Sequence, residues 1–220
     1  MNKELFYRIL SSVILLPLGF LTLYFGSYYL NFFLLISFII SVIEWNNISK
    51  NFFIKISGIF FLFISFWTIF LIRNDINNDF KVDYLFMVLI ICICTDTGGY
   101  FFGKLFKGPK LTKISPNKTY TGVCGSFLFP LIVLIFLTTT FEKEKIILSL
   151  FETNFNFYIF ILGISLVSQF GDLTISFFKR LSNMKNTGKI IPGHGGLLDR
   201  VDGMIFAFPT AYILYNYLLT

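Results

Sequence analysis

Apolar stretches close to twenty residues long recur along this chain, and they constrain its fold more than any other feature. A helix needs about 20 mainly apolar residues to cross the hydrocarbon core of a bilayer. Stretches near that length cover 9–25, 28–43, 53–72, 84–103, 123–141, 157–170 and 201–219. The connections between them are short and polar, which leaves no room for a separate soluble domain. Composition points the same way. Apolar residues make up 55% of the chain and charged residues only 14%, against about 25% charged in a soluble domain. A soluble fold of this size could not hide so much apolar surface, whereas helices that satisfy their own backbone suit lipid. The expected architecture is an all-α, polytopic membrane bundle of about seven transmembrane helices. It forms one domain over 1–220, with N-terminal spans in 1–80, core spans in 84–220, and polar loops at 104–121 and 179–200. Lys3 and Arg8 precede the first stretch as in a signal peptide, but no small-x-small cleavage site follows, so an uncleaved first helix is expected.

Lysine and arginine set the orientation. With the N-terminus cytoplasmic, the inner segments carry Lys3 and Arg8, then Lys50 and Lys55. They also carry Lys104, Lys107, Lys110, Lys113 and Lys118, and finally Lys179, Arg180, Lys185, Lys189 and Arg200. The outer loops carry only Arg73, Lys81, Lys143 and Lys145, diluted by Asp75, Asp79, Asp83, Glu142, Glu144 and Glu152. This is a positive-inside pattern with the C-terminus outside.

Charges at membrane depth cost about 2.5–3.5 kcal/mol each on insertion scales and call for a reason. Glu44, Asp96, Asp172 and Asp202 lie at or near predicted span ends, with Asp199 one turn before Asp202, and all fall on the cytoplasmic side. Asp199 and Asp202, three apart, share one helix face, as do Asp172, Ser176 and Lys179 at spacings of four and seven. Carboxylates converging with basic groups suit Mg²⁺-assisted phosphate chemistry: oxygen ligands hold the ion and the cations neutralise phosphate charge. The same residues could instead form structural ion pairs. Glu44, next to Trp45, reads as an interfacial anchor without a catalytic role.

The segment Ile191-Pro192-Gly193-His194-Gly195-Gly196-Leu197-Leu198-Asp199-Arg200-Val201-Asp202 is the most informative in the chain. Its glycines let backbone approach a ligand and offer N–H groups to an anion at a helix start. It is not a Walker loop, since GxxxxGK[ST] is absent. His194 is the only histidine. A lone histidine is more often structural, but its glycine-rich, membrane-adjacent setting makes it a candidate ligand contact. A second polar cluster, Lys113-Ile114-Ser115-Pro116-Asn117-Lys118-Thr119, could grip a phosphate or merely attract anionic head groups. Cys92, Cys94 and Cys124 lack CxxC spacing and a histidine neighbour, and are expected to be buried and chemically quiet.

At these residues the chain resembles the phosphatidate cytidylyltransferase family. Its signature reads roughly S-x-x-K-R, four residues, K-D, then P-x-H-G-G-x-x-D-R-x-D. Ser176-Phe177-Phe178-Lys179-Arg180, Lys185-Asn186 and Pro192 to Asp202 follow it. Ser168-Gln169-Phe170-Gly171-Asp172-Leu173, Asp96-Thr97 with Tyr100, and Ser115-Pro116-Asn117-Lys118-Thr119 also look like the family. The likeness covers most of the C-terminal two-thirds. Asn186 stands where the family usually has aspartate, and Ile175 and Thr121 where it often has glutamate.

The resemblance implies an enzyme of phospholipid biosynthesis that converts CTP and phosphatidic acid into CDP-diacylglycerol and pyrophosphate. It also implies Mg²⁺, with a second metal ion as an option, held by Asp172, Asp199 and Asp202. Lys179, Arg180, His194 and Arg200 complete the implied catalytic set. Asp96, Tyr100, Ser115, Lys118, Thr119, Ser176, Lys185, Gly193, Gly195 and Gly196 are the implied substrate contacts. The implied setting is a bacterial cytoplasmic (inner) membrane, with the active site facing the cytoplasm, a homodimer as an option, and no nucleic-acid partner. Two alternatives stand beside it: a related CTP-dependent kinase of an isoprenoid alcohol, and a small membrane transporter. The HGG-x-x-DR-x-D match weighs against the first. Against the second, the polar groups crowd one membrane face, where a transporter should also carry them near mid-membrane.

Overall fold

The computed structural model describes residues 17–19, 21–74, 81–111, 118–140, 155–191, 193 and 195–218. Six long helices account for most of them: α1 (Ser27–Ile48), α2 (Phe52–Arg73), α3 (Lys81–Phe106), α4 (Tyr120–Thr140), α5 (Phe155–Leu181) and α6 (Leu198–Leu218). Among the described residues there is no strand, only the isolated bridges Lys110 to Thr119 and Ile191 to Gly195. Five helices are long and apolar enough to cross a membrane: Tyr28–Ile48, Phe52–Arg73, Val82–Phe106, Tyr120–Thr140 and Phe155–Leu181. They match five of the seven expected spans. The first expected span lies largely outside the described residues. The seventh is helical as α6, but Asp199, Arg200, Asp202, Pro209 and its tyrosines dilute it, and it does not reach the same apolar standard.

Several helices run past the ends that hydropathy assigns them. α5 continues eleven residues beyond Phe170, because Leu173, Phe177, Phe178 and Leu181 keep a helical apolar spacing through its polar end. Ser176, Lys179 and Arg180 are therefore on a helix, and the expected 179–200 loop narrows to 182–197. Likewise α1 reaches Ile48, which puts Glu44 and Trp45 inside the helix.

The chain divides into two compact units, one of Met1–Asn74 with Phe177–Asp202 and the other of Asp75–Ser176 with Gly203–Thr220. In the first unit, α1 and α2 form a hairpin across three residues. The Trp45 indole closes it, donating to the carbonyl oxygens of Ile54 at 3.2 Å and Lys55 at 3.3 Å. Gly58 leaves room for that indole, since a Cβ there would overlap the ring. Trp45 also meets Phe178 edge-on at 5.0 Å, and the Ser182 hydroxyl donates to the Ile48 carbonyl. At the other end of α1, Gly26 breaks the helix with φ 61°, while the Arg73 guanidinium lies against it and donates to Leu23 O at 3.3 Å.

In the second unit, α3 and α4 meet through small residues. A Cβ at Gly98 would lie 2.6 Å from Gly125 O, and one at Gly99 would lie 2.5 Å from Ser126 Oγ. Small residues let backbones approach closely where lipid offers no hydrophobic drive for association. Polar side chains find partners in the same unit. The Tyr84 hydroxyl donates to Ala211 O at 2.6 Å, and the Thr95 hydroxyl donates to Ser165 Oγ at 3.1 Å. Cys92 and Cys94 are buried as expected, but Cys124 is exposed. It sits on a membrane-length helix, where an exposed position suits lipid contact.

Candidate functional site

The signature residues of the first unit build a tightly bonded cluster around two carboxylates. Lys179 leaves the last turns of α5 and is 8% exposed. Its ammonium donates to Asp199 Oδ1 at 2.7 Å, and the two side chains are 11% and 9% exposed. The other oxygen, Asp199 Oδ2, accepts from the backbone N–H of Thr187 at 2.9 Å and of Gly196 at 3.2 Å. Asp199 therefore holds a lysine with one oxygen and the connecting segment with the other.

Glu44 supplies the second carboxylate and is 1% exposed. It accepts from Leu197 N at 3.0 Å, Leu198 N at 2.8 Å and the Thr187 hydroxyl at 2.8 Å. The expectation of an interfacial anchor is corrected here. Glu44 is sealed off and bonded to the start of α6, because three donors converge on it there. The glycine-rich turn is expected to offer N–H groups to an anion, but two of those at its end, Gly196 and Leu197, together with Leu198, meet carboxylates of the protein itself. Gly195 N donates instead to Ile191 O at 3.1 Å. Gly193 and Gly195 have φ of 76° and 91°, a region that suits glycine. Asp202 is buried on α6, Arg200 and Lys185 are exposed, and the exposed Arg180 donates to Met184 O at 3.4 Å.

The second unit holds another acid–lysine pair. Lys118 Nζ lies 2.5 Å from Asp172 Oδ2, with both side chains 26% exposed. Thr119 caps α4: its hydroxyl accepts from Gly122 N at 3.1 Å and contacts Thr121 Oγ1 at 3.1 Å. Gly108 N donates to Thr121 Oγ1 at 3.3 Å, so Thr121 ties down the segment before the helix. Lys118 is further fixed through its carbonyl, which accepts from Leu111 N at 2.8 Å. On α3, Asp96, Thr97, Tyr100 and Phe101 line a groove of about 490 Å³ with Phe129 of α4. Lys104 reaches the Tyr100 hydroxyl at 3.5 Å.

Lys179, Asp199, Gly195 and Gly196 are thus brought together in one unit, and Lys118, Thr119 and Asp172 in the other. Asp96 and Tyr100 share the groove, and Ser176 is part-buried on α5. His194 and Ser115 lie outside the described residues. Among the described residues, no three His, Cys, Asp or Glu side chains gather as metal ligands. Asp172 belongs to one unit, and Asp199 and Asp202 to the other. Carboxylates are the hard oxygen ligands that Mg²⁺ takes, and at Asp172 and Asp199 a lysine ammonium holds the carboxylate here. Glu44 and Thr187 are the members that sequence reasoning left out. The signal for them was an acid at a span end and the Thr187-Gly188 step ahead of the signature.

Residues 56–218 match the model of the cytidylyltransferase family. The chain is 34% identical to a phosphatidate cytidylyltransferase of Rickettsia typhi, over 99% of this chain and 94% of that protein. It is 34% identical to a phosphatidate cytidylyltransferase of Staphylococcus haemolyticus, over 79% of this chain and 65% of that one. A protein of the same name from Rickettsia prowazekii is 40% identical, over 61% of this chain and 60% of its own length.

Proposed function

The chain belongs to the cytidylyltransferase family, and on that premise we propose that it makes CDP-diacylglycerol and pyrophosphate from CTP and phosphatidic acid. The observation that carries this reading is the Lys179–Asp199 pair, fixed inside the signature segment by the N–H groups of Thr187 and Gly196. A phosphate oxygen of phosphatidic acid attacks the α-phosphorus of CTP. One P–O bond forms there, the bond to the β-phosphate breaks, and its electron pair leaves with pyrophosphate. A phosphate monoester is already a competent nucleophile near neutral pH, so the protein need not supply a strong base. Its task is to position two anions and offset their charge.

Lys179 suits that task, because Asp199 holds its ammonium in one place and little of it is exposed. Lys118, held against Asp172, is assigned a second phosphate contact, and Arg180 and Arg200 further ones. The groove beside Asp96 and Tyr100 is mainly apolar, which suits a substrate with both head group and hydrocarbon. Mg²⁺ is proposed as the cofactor, with Asp172, Asp199 and Asp202 as its carboxylates. When bound, it would neutralise charge on the triphosphate. The proposed setting is an inner membrane with the site on the cytoplasmic side, where CTP is supplied.

The test uses purified protein, phosphatidic acid, Mg²⁺ and CTP labelled either in the cytidine ring or at the γ-phosphate. Ring label in the extracted lipid, abolished by EDTA, is expected. With an isoprenoid alcohol in place of phosphatidic acid, γ-label in the lipid would move the assignment to a kinase. The absence of either label from folded protein would remove the enzymatic reading.

A further inference from the structure

We propose that Glu44 is a positioning residue for Asp199, setting from α1 where the signature acid and its lysine stand. The inference deepens the cytidyl-transfer reading and rests on it. Leu198 opens α6, and the first N–H groups of a helix have no partner within it. A Ser, Thr, Asp or Asn at the cap position would accept from N–H groups further into the first turn, and Leu197, which stands there, cannot. Glu44 satisfies the two outermost donors from more than 150 positions away, taking Leu197 N at 3.0 Å and Leu198 N at 2.8 Å. A carboxylate at a helix N-terminus is also favoured by the helix dipole.

Asp199 is the next residue along α6, and the two acids divide one set of donors. Asp199 takes the Thr187 N–H and Glu44 takes the Thr187 hydroxyl. Asp199 takes Gly196 N, and Glu44 takes the two N–H groups that follow. The segment 187–198 is thus held on two sides, and Asp199 Oδ1 is left directed at Lys179. The neighbouring chain is kept bare for this contact. A Cβ at Gly188 would lie 2.5 Å from Glu44 Oε1, and one at Gly196 would overlap both Glu44 and the Thr187 hydroxyl. A carboxylate buried to 1% exposure is tolerable only with such partners, and a mere interfacial anchor would have kept its charge in water.

The test compares Glu44→Ala, Glu44→Gln and Glu44→Asp with the unaltered protein in detergent. It measures kcat and KM for both substrates, and amide hydrogen exchange along the chain. Glu44→Ala is expected to lower kcat roughly 10- to 100-fold, as small misplacements of a reacting group do, with KM for CTP little changed. Exchange in 186–200 should quicken about tenfold while α3 and α4 stay as they were. Glu44→Gln keeps one acceptor oxygen and should recover part of both effects. It also serves if the alanine variant does not fold. Glu44→Asp keeps the charge on a shorter arm and should fall between. Unchanged exchange in 186–200 would overturn the proposal, as would faster exchange spread evenly through α3 and α4. A kcat that stays normal despite a loosened 186–200 would overturn it as well. Should the unaltered protein lack turnover, the cytidyl-transfer reading falls, and the exchange pattern alone decides whether Glu44 holds Asp199 in place.

Discussion

Asp199 uses both of its oxygens, and the two do different work. Oδ2 is tied to backbone N–H groups, so replacing it changes the shape of the segment, whereas Oδ1 accepts from the Lys179 ammonium. Asp199→Asn can keep an oxygen toward Thr187 and Gly196 while turning its amide toward Lys179. That places donor against donor and removes the charge. The expected result is a folded protein whose turnover drops about 100-fold, the upper end for groups that orient a reacting site. Comparable melting temperatures beside the lost rate would locate the defect in the Asp199 carboxylate, as the partner of Lys179 or as a Mg²⁺ ligand, and not in the fold. Full turnover would remove Asp199 from the mechanism. Gly196→Ala makes the complementary case: its Cβ would collide with Glu44 and Thr187, so it should lower both stability and activity. Overpacking of this kind costs about 1–3 kcal/mol.

Between elements, the contacts that matter are backbone approaches and single polar bonds. A Cβ at Gly125 would lie 2.8 Å from Gly98 O and 2.5 Å from Phe102 Cγ, and a backbone carbonyl cannot swing aside. Gly125→Val should therefore force α3 and α4 apart and lower the unfolding temperature in detergent well below that of Tyr84→Phe. The latter removes one hydroxyl bond, to Ala211 O, worth about 1 kcal/mol. Equal losses in the two variants would mean that the glycine contact is not the tighter one. Hydropathy made all six of these helices legible, five of them as membrane spans, because the bilayer length leaves a mark of about twenty residues. It did not mark where helices end, because α5 keeps its apolar spacing after the span is over; the spacing of Asp172, Ser176 and Lys179 was the sign that the helix continues. The i, i+3 and i, i+7 spacings found the acids and bases but not their partners. Glu44 bonds residues 143 to 154 positions away, and no periodicity carries contacts of that kind. Glycines in the signature suggest room for an incoming anion, while at Gly196 the space is filled by the Glu44 carboxylate and the Thr187 hydroxyl.

Across the whole chain, the distribution of charge makes a claim that no single helix can test. The basic residues near the ends of α1, α3 and α5 gather at connections expected on the cytoplasmic side, and the acid-rich connections are expected outside. The proposed site follows that sidedness, since its lysines lie in the same segments and CTP is made in the cytoplasm. Arginine or lysine in a short connection resists crossing the membrane far more than aspartate or glutamate does, so the assignment depends on Lys50, Lys55 and Lys179 rather than on the acids facing them. Single cysteines read it directly in a background where Cys92, Cys94 and Cys124 are replaced by alanine. Lys50 and Asn74 flank α2 at its two ends and are both exposed. A maleimide that cannot cross the membrane should label Asn74→Cys in spheroplasts, whose inner membrane is intact, and Lys50→Cys only once that membrane is opened. The reverse pattern would turn the protein over and put Lys179 and Asp199 on the face away from CTP. The reaction could then stand only if substrate reached that side, so an inverted label combined with normal CDP-diacylglycerol synthesis in cells would reject the sidedness while leaving the chemistry in place.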